Sequence, residues 1–271
     1  MPALTPVANA RMYSATPAAK QAWKDVLGWT LRRAALSWEV IDFDAPAPLS
    51  DLWFRDDLGC AMMCGLPYSQ RSPRPALVAA PVPSPVRYGG RPVYFTDIVV
   101  RADAPAQTLE DTFGGVIGYT LEDSMSGCVA LRRHLLAYRN GKAAPLYRAA
   151  VGGLVNARRV IEALVEGRID VGPLDSYFHD LLQAGDPAFA ARVRVIASTP
   201  ATPIPPLVAT TPLTEAEVGR LRAAFLSAGA EPGLASQRAT LLLSGFSVPG
   251  ERDYDVFGTI LAEASRYPGL W

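Results

Sequence analysis

The residues best suited to chemistry lie in one short segment, Tyr119-Thr-Leu-Glu-Asp-Ser-Met-Ser-Gly127, called here the serine loop. A short apolar strand is predicted at 116–119, and a helix is predicted from Ser126 onward. A helix start presents backbone N–H groups without intrahelical partners and about half a positive charge from the helix dipole. Hydroxyls and a glycine there suit a phosphate-like or carboxylate group. The alternative is an ordinary N-cap at Ser124 or Ser126.

The cysteines and histidines offer few further reactive groups. The chain has 3 Cys and 2 His, and Cys60, Cys64 and Cys128 show no CxxC spacing. Neither a disulfide framework nor a zinc site is predicted, and buried free thiols are the simpler interpretation. Cys64 beside Gly65 would act as a nucleophile only with a distant histidine as its base. We therefore expect no metal and no cofactor.

Charge and hydropathy limit the class of partner. Lys and Arg number 26, as do Asp and Glu, and no dense basic run with interleaved aromatics occurs, so neither nucleic acid nor an anionic membrane is expected. Prolines and charges interrupt every apolar stretch before it reaches the length of a membrane span. The N-terminal segment lacks the features of a secretory signal. We expect a soluble protein with a small partner, periplasmic if a signal was removed and otherwise cytoplasmic.

The elements predicted around the serine loop alternate between strand and helix. The first part has predicted strands at 7–14, 38–43 and 60–64, and helices at 18–34 and near 49–54. The middle part has predicted strands at 116–119, 147–151, 169–174 and 192–198, and helices at 126–138, 156–166 and 176–184. The last part is predicted to be mainly helical, at 214–226, near 234–243 and at 255–265. This alternation indicates sheets flanked by helices.

The middle part is complete enough to fold as one lobe. We predict a first lobe from residues 1–97 with 205–271, and an inserted second lobe from residues 98–204 that carries the serine loop. Ligands of open α/β sheets bind beyond the carboxyl ends of the strands. The positions of interest are therefore residues 13–14, 64–68, 122–127 and 175–177.

Four segments together resemble one protein family. They are Tyr94-Phe-Thr-Asp-Ile-Val-Val-Arg-Ala-Asp-Ala-Pro105, Thr108-Leu-Glu-Asp111, Asp123-Ser-Met-Ser-Gly127 and Val160-Ile-Glu-Ala-Leu-Val-Glu-Gly-Arg-Ile-Asp-Val-Gly-Pro-Leu-Asp175. In this order and spacing they resemble the phosphate/phosphite/phosphonate substrate-binding proteins of ABC transporters over residues 90–200. The resemblance implies an α/β, two-lobed type II periplasmic-binding-protein fold. Each lobe would be a mixed, mainly parallel sheet flanked by helices, with the ligand cleft between the lobes.

The same resemblance implies a function. The protein would be a solute-binding protein, not an enzyme, that captures a small oxyanion-bearing solute such as a phosphonate or phosphate for ABC-type uptake or sensing. An ABC permease would be a further partner. The alternative is an enzyme on the same fold, of the type that makes the thiamine pyrimidine, although those enzymes carry a cysteine-rich iron motif that this sequence lacks.

The resemblance also assigns binding residues. The S-x-S-G loop of the family maps onto Ser124, Met125, Ser126 and Gly127, and its acidic residue after the G-x-x-D-V strand maps onto Asp175. Asp175 would receive a ligand amine or hydroxyl, or else cap the helix that begins at Ser176. Aromatic candidates are Tyr13, Tyr68, Tyr94 and Tyr177.

Some positions depart from the family or stay open. Gly152-Gly153 stands where the family has Gly-Ser or Gly-His, so one anion contact is missing, and Met125 is expected to make the loop more apolar. His179 is expected to be a structural or surface residue. Asp97 is either part of a hinge hydrogen bond or a solvent-facing strand residue.

Overall fold

The computed structural model describes residues 5–45, 47–139, 144–210 and 213–266. Its strands, in chain order, are β1 (Val7–Asn9), β2 (Glu39–Val40), β3 (Leu58–Met62), β4 (Ala76–Pro83), β5 (Val93–Tyr94), β6 (Thr96–Arg101), β7 (Val116–Gly118), β8 (Ala149–Val151), β9 (Gly172–Asp175), β10 (Val193–Ser198), β11 (Thr202–Pro203), β12 (Leu207–Ala209) and β13 (Leu243–Ser247). Its helices are α1 (Pro17–Arg33), α2 (Leu49–Trp53), α3 (Gly65–Gln70), α4 (Ala130–Arg139), α5 (Ala157–Val165), α6 (Ser176–Gly185), α7 (Pro187–Ala190), α8 (Glu215–Ala228), α9 (Ala235–Thr240) and α10 (Val256–Ala264).

The first of two compact units contains Met1–Val93 and Pro203–Tyr254. Its centre is a six-stranded sheet in the order β13-β4-β12-β3-β1-β2. β1 pairs in parallel with β2 and β3, as the alternation of the first part predicts, whereas the pairs of β12 and β13 are antiparallel. The sheet is therefore mixed, with its parallel pairs confined to one side.

The second unit contains Tyr94–Thr202 and Asp255–Trp271. β6 is the middle strand of the antiparallel sheet β10-β6-β9, and β7 pairs in parallel with β8. Its core is a cluster of buried apolar side chains that includes Ile98, Val100, Ile117, Leu131 and Leu135. This unit carries the serine loop and Asp175.

Several helices begin where local sequence signals place them. The Thr16 side chain accepts the Ala19 N–H at the start of α1, where Pro17 occupies the first helical position. Thr214 and Glu217 form a reciprocal capping box at the start of α8. Asn156 caps α5 by accepting the Arg159 N–H. Side-chain caps of this kind satisfy N–H groups that no helical carbonyl can reach.

The C-terminal part differs from the mainly helical prediction. α9 ends at Thr240, and β13 follows it as an edge strand paired with β4. Gly245 in β13 lies so close to Gly229 that a Cβ on Gly245 would come within 3.4 Å of the Gly229 Cα. The pairing of β13 with β4 joins two segments that are distant in sequence, so local patterning does not reveal it.

The last helix belongs to the second unit, and the prediction that places it in the first lobe is wrong. α10 packs against α4, and the Arg133 Nε donates to Glu263 Oε2 at 2.6 Å. The boundaries between the two lobes are predicted at 97/98 and 204/205. In the structure, the boundaries between the two units lie at Val93/Tyr94 and Thr202/Pro203.

The core of the second unit gives a stability prediction. Ile98 is fully buried, so Ile98→Ala leaves a cavity and should lower the free energy of unfolding by about 2–5 kcal/mol. Val86 is 94% exposed, and Val86→Ala should change it by less than about 0.5 kcal/mol. Denaturant unfolding followed by circular dichroism measures both, and equal small effects would contradict the assignment of Ile98 to the core.

Candidate functional site

Ser124 caps the helix that follows the serine loop. Its Oγ accepts the Gly127 N–H at 3.1 Å, and its carbonyl accepts the N–H groups of Cys128 and Val129 at 3.0 Å each. Met125–Val129 is thereby a π-helical turn that continues directly into α4. π turns are rare and often occur at functional sites. A serine oxygen that accepts a hydrogen bond still has its own proton to donate, so the capping role leaves Ser124 able to bind an anion.

The first N–H groups of this helix remain available. Ser124 takes the Gly127 N–H, but within the described ranges no acceptor lies in hydrogen-bonding position to the N–H of Met125 or Ser126. Ser124 and Ser126 are both partly exposed, whereas Gly127 is buried. Two partly exposed hydroxyls and two N–H groups without an intrahelical acceptor therefore lie at one helix start, a combination that suits a small oxyanion.

Gly127 is required because Thr120 lies against its backbone. A Cβ on Gly127 would overlap Thr120 Oγ1 and would come within 2.8 Å of Ser124 Oγ. The Thr120 N–H donates to the Gly127 carbonyl at 3.0 Å and so closes the loop. Sequence patterning does not single out Thr120, and its place in the same loop is the only local signal for it.

Asp175 is brought beside the serine loop and is also a helix cap. Its Oδ1 accepts the N–H groups of Tyr177 and Phe178 at 3.0 Å each, so the capping alternative is confirmed. Its Oδ2 accepts the Ser126 hydroxyl at 3.3 Å. The Thr96 hydroxyl donates to the Ser126 carbonyl at 2.9 Å, and Thr96 pairs with Asp175 across β6 and β9. Residues from three separate segments therefore meet at Ser126.

A buried polar pair lies on the same two elements. Asp97 follows Thr96 on β6 and is fully buried, so the solvent-facing alternative for this residue is wrong. Its Oδ2 lies 3.0 Å from Nδ1 of His179 on α6, and its Oδ1 accepts the Ser198 hydroxyl at 2.9 Å. His179 is 1% exposed and is a structural residue. The pair fixes α6, and with it the Asp175 cap, against β6.

The remaining predicted site residues are less accessible. The side chain of Met125 is fully buried, so the expectation that it makes the loop more apolar is wrong, and only its backbone N–H lies at the helix start. Tyr177 and Tyr94 in the second unit are also buried, at 0% and 1% exposure.

The other two tyrosines belong to the first unit and are also buried. Tyr68 packs edge-on against Tyr254 with ring centroids 5.0 Å apart. Tyr13 ends a short 3₁₀ turn at Arg11–Tyr13 and is 1% exposed. Neither ring is therefore open to solvent in the structure.

Tyr119 occupies the space above Gly152. A Cβ on Gly152 would come within 2.7 Å of Tyr119 Cε2, with other ring atoms closer still. Tyr119 N–H donates to Val151 O at 3.0 Å, and Gly153 N–H donates to Thr120 O at 2.8 Å. The position at which the family has Ser or His after Gly thus lies beside the serine loop, and the Tyr119 ring fills space next to it.

Two of the three cysteine thiols have strongly raised pKa values. Burial raises the pKa of Cys60 and of Cys128 to about 12, so both thiols stay protonated at neutral pH and are poor nucleophiles. Within the part of the chain that the structure describes, no group of three or more His, Cys, Asp or Glu residues is placed to hold a metal ion. Nor does any described helix combine the length and apolar character needed to cross a bilayer.

The close packing at Gly127 gives a second prediction. Gly127→Ala forces the new Cβ into Thr120, so we expect a loss of about 1–3 kcal/mol in the free energy of unfolding. Gly258 lies in α10 of the same unit, and a Cβ there would meet no described atom within 4 Å, so Gly258→Ala should be neutral or stabilising by up to about 1 kcal/mol. Thermal and denaturant unfolding compare the two, and equal effects would contradict the steric argument.

Comparison with known proteins identifies the family. A sequence-family profile described as "ABC transporter, phosphonate, periplasmic substrate-binding protein" matches residues 55–254. No curated protein matches the sequence. Among solved structures, a binding protein component of an ABC phosphonate transporter from Pseudomonas aeruginosa has 20% identity and a TM-score of 0.78, and the match covers 97% of this chain and 88% of that one.

Two further solved structures have the same fold. PhnD1 from Prochlorococcus marinus, in complex with methylphosphonate, has 13% identity and a TM-score of 0.76, with 94% of this chain and 96% of that one covered. XAC2383 from Xanthomonas citri, bound to ATP, has 20% identity and a TM-score of 0.64, with 97% and 98% covered. The predicted type II periplasmic-binding-protein fold is confirmed. Because the profile spans most of the sequence, the chain belongs to the family of phosphonate periplasmic substrate-binding proteins of ABC transporters, and it is a solute-binding protein.

Proposed function

We propose that this protein binds an organic oxyanion, with a phosphonate or phosphate group at the start of the π-helical turn. The N–H groups of Met125 and Ser126 and the hydroxyls of Ser124 and Ser126 would hold the anionic oxygens. Hydrogen bonds to a charged group are stronger than neutral ones, and the helix dipole adds favourable charge. The N–H of Gly127 already donates to Ser124 and is therefore not offered to the anion. Gly127 contributes instead by leaving room for Thr120, whose N–H closes the loop.

The observation that carries the proposal is the contact between Ser126 and Asp175. Ser126 Oγ and Asp175 Oδ2 are 3.3 Å apart although the residues are 49 positions apart in sequence. A carboxylate at this distance disfavours a bare phosphate, because two like charges repel at short range in a partly buried site. A ligand that also carries an amine or hydroxyl can instead donate to Oδ2. The Ser126 hydroxyl would then be released to turn towards the anion.

The ligand class follows from this arrangement. We infer a small molecule with an oxyanion at one end and a hydrogen-bond donor at the other, taken up without chemical change. The raised pKa values of Cys60 and Cys128 support a binding role over a nucleophilic one. Asp175 keeps its cap on α6 throughout, since Oδ1 alone accepts both N–H groups of that helix start.

The family supports a place for the protein in transport. We propose that it delivers its solute to an ABC permease and that it acts in the periplasm. Tyr13, Tyr68 and Tyr94 remain proposed ligand contacts, as does Tyr177. Their burial in the structure means that each would have to present a ring edge or hydroxyl to the ligand.

Loss of the Ser126 hydroxyl should weaken anion binding. Ser126→Ala should raise the Kd for aminomethylphosphonate by about tenfold or more, because the ligand amine frees the Ser126 hydroxyl from Asp175 and a hydrogen bond to a charged group is worth about 1.5–3 kcal/mol. Ser124→Ala should also lower the free energy of unfolding by about 1 kcal/mol, because it removes a cap. Titration calorimetry measures affinity for both. Ser244→Ala is the control, since this hydroxyl donates to Val82 O in the first unit, and an unchanged Kd in Ser126→Ala would refute the proposed site.

Asp175→Asn separates the two roles of this residue. Asparagine is also a good N-cap, so the variant should unfold within about 1 kcal/mol of the wild type. Its affinity for aminomethylphosphonate should fall by about tenfold or more, while that for methylphosphonate should hold or improve, because the repelling charge is gone. Calorimetry with both ligands decides. An equal loss of affinity for the two ligands would mean that Asp175 acts only as a helix cap. Recovery of a chemically altered ligand would instead indicate an enzyme.

A further inference from the structure

A pocket lies within the second unit, apart from the serine loop. It has a volume of about 270 Å³ and is lined by residues of α4, α10 and the segment after β10: Ala130, Arg133, His134, Ala137, Thr199, Pro200, Thr202 and Ile260. Its lining includes none of the proposed ligand-binding residues, so it is a separate site.

His134 in this pocket has an unsatisfied polar atom. Its Nε2 is buried and has no hydrogen-bond partner among the described residues. Burial lowers the pKa of His134, so the imidazole is neutral at neutral pH. An unpaired buried donor or acceptor destabilises the structure, because it has lost its bond to water without gaining another. Because the torsion that turns an imidazole is broad, rotation can bring either ring edge towards a partner in the pocket.

Arg133 supplies positive charge with spare donors. Its Nε donates to Glu263 Oε2 at 2.6 Å. Within the described ranges, its two terminal NH₂ groups have no acceptor. A guanidinium can bind two carboxylates because its donors point in different directions in one plane. The open edge of Arg133 therefore fits a second carboxylate beside the one that Glu263 already provides.

We infer that this pocket binds a small monocarboxylic acid with a compact apolar body. The carboxylate would lie on the terminal NH₂ groups of Arg133 and within reach of His134, and the Thr202 hydroxyl offers a further polar contact. The apolar body would pack against Ala130, Pro200 and Ile260. This inference goes beyond the proposed function and does not rest on it, since a protein that binds no phosphonate would still have this pocket.

The histidine content of the chain makes the test direct. His134 and His179 are the 2 histidines of the sequence. Substitution of either one removes its imidazole NMR signal and so assigns both. Benzoate, a benzene ring with one carboxylate, is the probe, because an apolar cavity of about 150 Å³ already holds benzene. We expect benzoate to shift the His134 signal in a saturable way below about 10 mM, corresponding to a binding free energy stronger than about −2.7 kcal/mol. The signal of buried His179 should stay in place.

Matched probes and variants decide the assignment. Benzamide has the same shape without the charge and should bind about tenfold more weakly or worse. Ala137→Trp should fill the pocket and abolish the shift, whereas Ala216→Trp, at an exposed position in α8, should retain it. The shift should also persist in Ser126→Ala, which separates this pocket from the serine loop. Absence of a saturable shift, equal binding of benzamide, or loss of the shift in Ser126→Ala would each overturn the proposal.

Discussion

The carboxylate of Asp175 holds together the parts of the candidate site. One oxygen accepts two N–H groups of α6, and the other accepts the hydroxyl of Ser126. Thr96, paired with Asp175 across the sheet, binds the carbonyl of the same serine. The serine loop is therefore held from both the backbone and the side chain of Ser126, and its helix start has a defined orientation relative to β6 and β9. A binding site for a small ion needs such positioning because each donor has to reach the same few oxygens.

The Asp97–His179 pair supports this arrangement from within the unit. A fully buried carboxylate is costly unless it is hydrogen-bonded, and Asp97 has partners on both α6 and β10. The pair therefore ties together the helix that Asp175 caps and two strands of the sheet. Buried polar groups of this kind disfavour alternative packings, because any shift leaves a charge unpaired. The geometry at Ser126 depends on this interior as much as on the loop.

Local sequence signals predict much of the fold, because caps and periodicity act over a few residues. The starts of α1, α5 and α8 follow from Thr16, Asn156 and Thr214. The strand β13 and the placement of α10 are missed, since they depend on contacts with β4 and α4 far away along the chain. The site shows the same division. The capping roles of Ser124 and Asp175 follow from the sequence, but the burial of Met125 and the contact of Thr120 with Gly127 require the three-dimensional packing.

The π-helical turn also limits which changes in length the segment between the serine loop and α4 can tolerate. A π turn contains about one residue more than an α turn, and each residue rotates a helix by about 100°. Removal of one residue from Met125–Val129 would restore a regular helix, but it would turn either the serines or the buried face of α4 by that angle. The rotation of the serine loop about the helix axis is thus fixed relative to that of α4. Single substitutions within the turn leave this phase unchanged, whereas a change in its length would require the core around Leu131 and Leu135 to be rebuilt.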